Sequence, residues 1–265
     1  MNIITLTTDF GTADWFVGSM KGVILGINPQ AAVVDITHEV PGGNIHEAAF
    51  VLLACYRYFP QNTIHVAVVD PGVGSSRAAI AVRTQSYIFV GPDNGILSLA
   101  LAQEQVLEIR RLDHSQYFHK PVSHTFHGRD VFAPVAAHLT LGVPLKEFGT
   151  ELDKYVQIAW PQVSVLDGAV RGEVVYIDHF GNAITNIAAV DLAKLARHTP
   201  SVFLRGEEVC AVKNYYQEVT SGEPLAAIGS SGFLEIAING GHAVRALGVR
   251  LGEPVEVHGA PSAIK

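Results

Sequence analysis

Along roughly its first 160 residues the chain alternates short β-branched runs with stretches of helical periodicity, the mark of strand-helix-strand units and a largely parallel sheet. Ile3–Thr7, Ala32–Ile36, Thr63–Val69, Ala79–Val82 and Tyr87–Val90 predict strands. Between them, Trp15–Ile27 predicts a helix stopped by Asn28-Pro29. Ile45–Tyr58 predicts another that starts after Asn44, with Glu47 completing an Asx-x-x-Glu capping box. Ile96–Ala102 and Asp130–Leu141 are further helices, and Pro134 fits the latter only at a kink or in its first turn. After Pro161 the texture becomes short apolar pieces, Glu173–Ile177, Ala183–Ile187, Ser201–Leu204, Leu225–Ile228 and Phe233–Ile238, separated by Gly-rich turns. The expectation is an α/β domain over 1–162 followed by a smaller, mostly β domain over 168–265.

Composition narrows the function classes. A chain of 265 residues that is 48% apolar can bury substantial cores, so disorder is excluded. The net charge of −7 comes without any Lys/Arg run, which argues against nucleic acid as a partner. No stretch of 18 uninterrupted apolar residues exists, and the first residues lack a basic region followed by an apolar run. The reading is a cytoplasmic protein with no membrane partner. Cys55 and Cys210 are too few for a disulfide framework or zinc cluster and read as buried thiols.

In α/β sheets ligands bind beyond the carboxyl ends of the strands, so polar residues just after apolar runs are the candidates. Thr7-Thr8-Asp9-Phe10-Gly11 follows the first strand. Asp9 could accept both hydroxyl protons of a ribose, or could simply cap the helix near Trp15. Asp70-Pro71-Gly72-Val73-Gly74-Ser75-Ser76-Arg77 follows another strand, and Arg77 can return toward Asp70. The spacing is neither that of a dinucleotide loop nor of a P-loop, and an ion pair across a turn is the plain alternative. Thr125-Phe126-His127-Gly128-Arg129-Asp130 leads into a helix whose amino terminus would favour neutral His127, able to accept a proton. In the second domain, Asp178-His179-Phe180-Gly181-Asn182, Gly229-Ser230-Ser231-Gly232 and Asn239-Gly240-Gly241 are polar turns, by default hairpin connections. His46-Glu47 lacks the second His that a helical zinc site requires, and neither a metal nor a cofactor is expected.

Taken together, Thr8-Asp9-Phe10-Gly11, Asp35-Ile36-Thr37-His38, Val69-Asp70-Pro71-Gly72-Val73-Gly74, Gly91-Pro92-Asp93-Asn94-Gly95, Phe126-His127-Gly128-Arg129-Asp130 and Ile177-Asp178-His179-Phe180-Gly181-Asn182 resemble the S-adenosylmethionine hydroxide adenosyltransferase family, related to the fluorinating and chlorinating adenosyltransferases. The resemblance covers nearly the whole chain. It implies an amino-terminal α/β domain, a carboxy-terminal β-barrel-like domain, and a homotrimer with active sites between the first domain of one subunit and the second of its neighbour. It also implies hydrolysis of S-adenosyl-L-methionine to adenosine and methionine, with Asp70, Arg77 and His127 handling the attacking water. It puts the ribose on Asp9, the methionine amino and carboxyl ends near Asp178 and Ser230, and the adenine near Asn182 and the turns around Phe233 and Asn239, with Phe180 a further substrate contact.

The residue types suit that reaction. Attack at the 5′-carbon releases a neutral thioether, so no general acid is needed, whereas water, with a pKa of about 15.7, must be oriented and relieved of a proton. Arg77 is expected to stabilise developing hydroxide, and Asp70 and His127 to orient the water and take its proton. The rivals are a halide-using adenosyltransferase, disfavoured because Gly128 stands where a halide-contacting serine is expected, and a non-catalytic sensor of the same ligand. The absence of Gly-x-Ser-x-Gly argues against an unrelated α/β hydrolase.

Overall fold

A computed structural model describes residues 3–166, 168–195 and 200–259. The chain divides after Ala159 into two compact units. The first holds a six-stranded sheet made of β1 (Ile3–Thr8), β2 (Ala32–Thr37), β3 (Ile64–Val68), β4 (Ala79–Thr84), β5 (Ile88–Pro92) and β6 (Val106–Arg111), in the order β2-β1-β3-β5-β4-β6. The pairs β1–β2, β1–β3 and β3–β5 are parallel, while β4 runs antiparallel to both its neighbours. That single reversal matters for the site. The carboxyl ends of β1, β3 and β5 and the amino end of β4 all open on one edge of the sheet.

The helices are α1 (Phe16–Ile27), α2 (Ile45–Cys55), the single turn α3 (Ser98–Leu101) and α4 (Ala133–Thr140). Met20 and Ile24 of α1 and Val135, Ala136 and Leu139 of α4 pack on Ile4 and Leu6 of β1 and Val66 and Val68 of β3, every one of them buried. At ~25 cal/mol per Å² of apolar surface this burial is the main force holding α1 and α4 to the sheet. β3 and β5 are buried along their whole length, as expected of strands covered on both faces.

Asn44 caps α2 by accepting the Glu47 N–H at 3.1 Å. The reciprocal half of the expected box is different: the Glu47 carboxylate takes the Asn44 side-chain amide at 3.0 Å, because the Asn44 backbone N–H is already given to Pro41. The helix expected to run to Tyr58 tightens into a 3₁₀ turn after Cys55. Pro134 sits in the first turn of α4, where its missing N–H costs nothing, and the residues before it, Gly128–Phe132, form a π-turn. Both cysteines are free, and burial pushes their thiols up to about 11 for Cys55 and about 12 for Cys210.

The second unit is a curled antiparallel sheet: β7 (Ser164–Leu166), β8 (Ala169–Ile177), β9 (Ala183–Ala188), β10 (Ser201–Leu204), β11 (Glu207–Ala211), β12 (Pro224–Ile228), β13 (Phe233–Ile238) and β14 (Pro254–His258). The order is β11-β10-β14-β8-β9-β13-β12, with β7 alongside β8. A bridge between Val212 and Ala226 draws the two ends of this order together, giving a nearly closed barrel around Val170, Val174, Leu234, Ile236 and Val255.

Candidate active site

In the first unit, the loop between β3 and β4 turns back on itself, so Asp70 and Arg77 face each other across it. Arg77 Nε donates to Asp70 Oδ1 at 2.9 Å, and the terminal guanidinium nitrogen Nη2 donates to Asp70 Oδ2. The two side chains are only 4% and 11% exposed for Asp70 and Arg77, so this fork-to-carboxylate pair satisfies two largely desolvated charges. Asn94, in the turn after β5, braces the loop from beneath by donating to the Val69 carbonyl at 2.9 Å. Gly74 has φ +77°, and a Cβ there would collide with the His124 carbonyl, so the loop can lie against the 123–130 segment only as glycine.

That segment delivers His127. Buried Asp130 accepts the Ser123 N–H at 2.8 Å and Arg129 Nε at 2.6 Å, tying the turn into the π-turn. Arg77 Nη2 then lies 3.0 Å from His127 Nδ1. A guanidinium has only donors, so Nδ1 accepts, and the neutral ring carries its proton on Nε2. Burial and then the nearby Arg77 charge hold His127 below the usual histidine value, against the opposing pull of Asp70 and Asp130. The direction matches the sequence expectation; the leading cause is burial rather than a helix terminus.

Asp9 opens onto the same edge. It accepts the Gly43 N–H at 2.8 Å instead of capping α1, whose N-cap Trp15 makes no side-chain bond. Asp9 and Asp70 line one cleft of about 550 Å³ together with Phe10, Phe16, Gly43 and Phe126. Phe10, Phe16 and Phe126 meet tilted or edge to face at 5.2–5.9 Å between centroids, making an apolar wall beside two carboxylates. That size and lining suit a small molecule.

The second unit gathers a different set. Asp178 accepts the Asn182 N–H at 2.8 Å and the Asn182 side-chain amide at 3.0 Å. The sequence reading missed two further members: the Tyr216 hydroxyl lies 3.3 Å from Asn182 Nδ2 and donates to Glu235 Oε1. Burial, with Asp178 nearby, pushes the Glu235 carboxyl up, and burial with Glu235 pushes the Tyr216 phenol up. Phe180 is 71% exposed. Ser230 lies in the exposed turn between β12 and β13, and Phe233 opens β13, 6.2 Å in ring centroids from Trp160. Asn239 closes a turn, donating to the Val219 carbonyl at 2.8 Å while its own carbonyl takes the Gly222 N–H.

A catalytic-looking trio and a carboxylate-lined cleft on an α/β unit, followed by a β-barrel, fit one class of protein. Residues 4–149 match the SAM hydroxide adenosyltransferase N-terminal domain and residues 172–256 its C-terminal domain, and the chain belongs to that family. It is 40% identical to the (R)-S-adenosyl-L-methionine hydrolase of Salinispora tropica, over 96% of this chain and 97% of that protein. It is 38% identical to the one from Methanocaldococcus jannaschii, over 97% and 96%. A fluorinase from an Actinoplanes species is more distant, 28% identical over 89% of this chain and 91% of that protein. An uncharacterized conserved protein from Thermotoga maritima has the same fold, with a TM-score of 0.92 and 41% identity over 96% of this chain and 99% of that one.

Proposed function

We propose that this protein hydrolyses S-adenosyl-L-methionine to adenosine and L-methionine by in-line attack of water on the ribose 5′-carbon. The observation that carries the reading is the placement of Arg77, which grips Asp70 and His127 at once beside a cleft lined by Asp9. Water takes the place against this trio and the substrate takes the cleft, its ribose hydroxyls on Asp9. As the oxygen–carbon bond forms, the carbon–sulfur pair leaves on sulfur as the thioether of methionine. The water's proton passes to Asp70, because His127 has its Nδ1 lone pair engaged by Arg77 and its Nε2 already protonated; His127 orients the water through that N–H. Arg77 stabilises the growing hydroxide character, and the apolar wall of Phe10, Phe16 and Phe126 strengthens each of these interactions.

The residues of the second unit complete the reading. Asp178 and Ser230 take the ends of the methionine, Asn182 and the turns around Phe233 and Asn239 surround the adenine, and Phe180 is a further substrate contact. A homotrimer with active sites at subunit interfaces is part of the same reading and rests on the family alone. The same reading places the enzyme in the cytoplasm, where this methyl donor is consumed. Sedimentation as a monomer at working concentration would remove the trimer from the proposal.

The decisive test is incubation of the purified protein with S-adenosyl-L-methionine in halide-free buffer made with oxygen-18 water. The expected product is adenosine labelled at its 5′-hydroxyl. Tight binding without adenosine would replace the enzyme by a sensor. Separate assays of the two sulfur epimers would reveal whether the R preference in the relatives' name extends here.

A further inference from the structure

The segment Asp35-Ile36-Thr37-His38 takes no part in the chemistry above. It runs off the end of β2, next to the β1 turn that carries Asp9. His38 is 4% exposed and grips that turn on both sides of Asp9. Its Nδ1 lies 2.8 Å from Thr8 Oγ1, and its carbonyl accepts the Gly11 N–H at 2.7 Å. The Thr8 hydroxyl oxygen also receives the Phe10 N–H at 3.2 Å, so one side chain reads both the His38 ring and the backbone just past Asp9.

The ring is itself held from behind. His38 Nε2 lies 3.0 Å from Asp35 Oδ1, and Asp35 Oδ2 is paired with Lys21. Burial alone would raise the Asp35 carboxyl, but Lys21 and His38 outweigh it and keep the group below its ordinary value, hence ionised. The Thr8 hydroxyl can donate or accept, so it bonds His38 Nδ1 in either ring tautomer. From Lys21 through Asp35 and His38 to Thr8, the chain of contacts ends at the residue before Asp9.

We infer that His38 is a positioning residue for Asp9: by clamping Thr8 and Gly11 it orients the Asp9 carboxylate, and through it sets the enzyme's preference for a substrate bearing both ribose hydroxyls. This rests on the reading that Asp9 holds the ribose. One Asp9 oxygen is committed to Gly43, so only a narrow range of turn geometries leaves the carboxylate able to receive two neighbouring hydroxyls.

The test compares S-adenosyl-L-methionine with its 2′-deoxy and 3′-deoxy analogues in the purified full chain. The wild type should favour the parent by about tenfold or more in kcat/KM, as expected where a site built to bond a hydroxyl loses it. His38→Ala should raise KM for the parent several-fold, change kcat by less, and bring the preference close to one. A purely structural role lowers the folded fraction and scales all three substrates together, leaving the ratio intact. Thr8→Val, isosteric but lacking the hydroxyl, should act like His38→Ala, and Thr8→Ser should keep the wild-type ratio. Asp9→Asn separates the two ideas. If it erases the preference while His38→Ala and Thr8→Val retain it, or if Thr8→Ser fails like Thr8→Val, positioning by His38 is overturned. If Asp9→Asn itself retains the preference, the ribose reading falls and takes this inference with it.

Discussion

Arg77→Lys isolates what the fork geometry contributes, because it keeps the positive charge and removes the shape. The guanidinium, itself nearly buried, serves Asp70 and His127 through three contacts: Nε and Nη2 on the two Asp70 oxygens, and Nη2 on His127 Nδ1. A lysine ammonium is one point charge and can keep a single contact at most with good geometry. Two charge-assisted hydrogen bonds are then lost, at the low end ~1.5 kcal/mol each, so about 3 kcal/mol, which is roughly a 10²-fold fall if the cost falls on the transition state. The expected result is kcat reduced about 10²-fold with KM within about threefold, since Arg77 is assigned to the water rather than to the substrate. Any part of those ~3 kcal/mol that falls on the folded ground state instead should appear as lost folding stability, with a correspondingly smaller fall in kcat. The assay is adenosine release under single turnover, with urea denaturation in parallel. Retention of kcat within threefold, or a rise in KM at unchanged kcat, would show that the trio does not handle the nucleophile.

Protonating His127 removes the acceptor that Arg77 uses and sets two cations together, so kcat/KM should fall on the acid side at a pH below 6.5, the ordinary value from which His127 is lowered; an acid limb above that, or one untouched by His127→Asn, contradicts the assignment. His65 is fully buried with Thr5 at 2.8 Å, and burial lowers its pKa from 6.5 to about 3. The unfolded chain therefore binds the extra proton between those values, and stability should decline as pH falls from 6.5 toward 3, by up to about 5 kcal/mol from this residue alone at ~1.36 kcal/mol per unit. Urea midpoints at pH 7, 5.5 and 4 measure it, and His65→Gln should flatten the slope. Gly128→Ser should cost about 1–3 kcal/mol through overpacking, and should yield no halogenated nucleoside in chloride buffer; wild-type stability with a 5′-chloro product would mean that one residue decides between halide and water.

How much of this was legible in sequence depended on the range of the interactions. The parallel strands carry their own β-branched runs, and the Asp70 and Arg77 pairing lies within one loop between two strands, so it could be anticipated from spacing. The strands not foreseen, β6, β7, β11 and β14, are the ones whose apolar signal is diluted. β6 and β11 are sheet-edge strands with alternating charges such as Val106-Leu107-Glu108-Ile109-Arg110-Arg111, and neighbours across the sheet decide them. His127 could not be tied to Arg77 by local chemistry, since 50 residues separate them; family motifs, not periodicity, pointed there. Tyr216 and Glu235 were missed for the same reason, for Tyr216 lies 34 residues from Asn182 and 19 from Glu235, in a stretch with no motif of its own. Asp9 offered two local readings, and tertiary structure decided against helix capping because Gly43 presents its N–H first.

The choice between water and halide also follows from charge and space. A halide ion entering the cleft would approach an edge already carrying Asp9 and Asp70, and would lose its hydration beside an apolar wall of three phenyl rings. Arg77 lies beside that edge, but Asp70 already balances its charge, so a halide would add a second anion to a neutral pair. A hydroxyl at position 128 would be the natural donor to an anion, yet a Cβ there lies 3.1 Å from Phe10, 3.2 Å from Met20 Sδ and 3.2 Å from Phe126. Phe10 and Phe126 also line the cleft, so making room for the serine means moving the cleft's apolar wall. Water needs none of this. It is neutral on entry and acquires charge only as it reacts, and in the roles proposed above Asp70 then takes its proton while Arg77 is already in place.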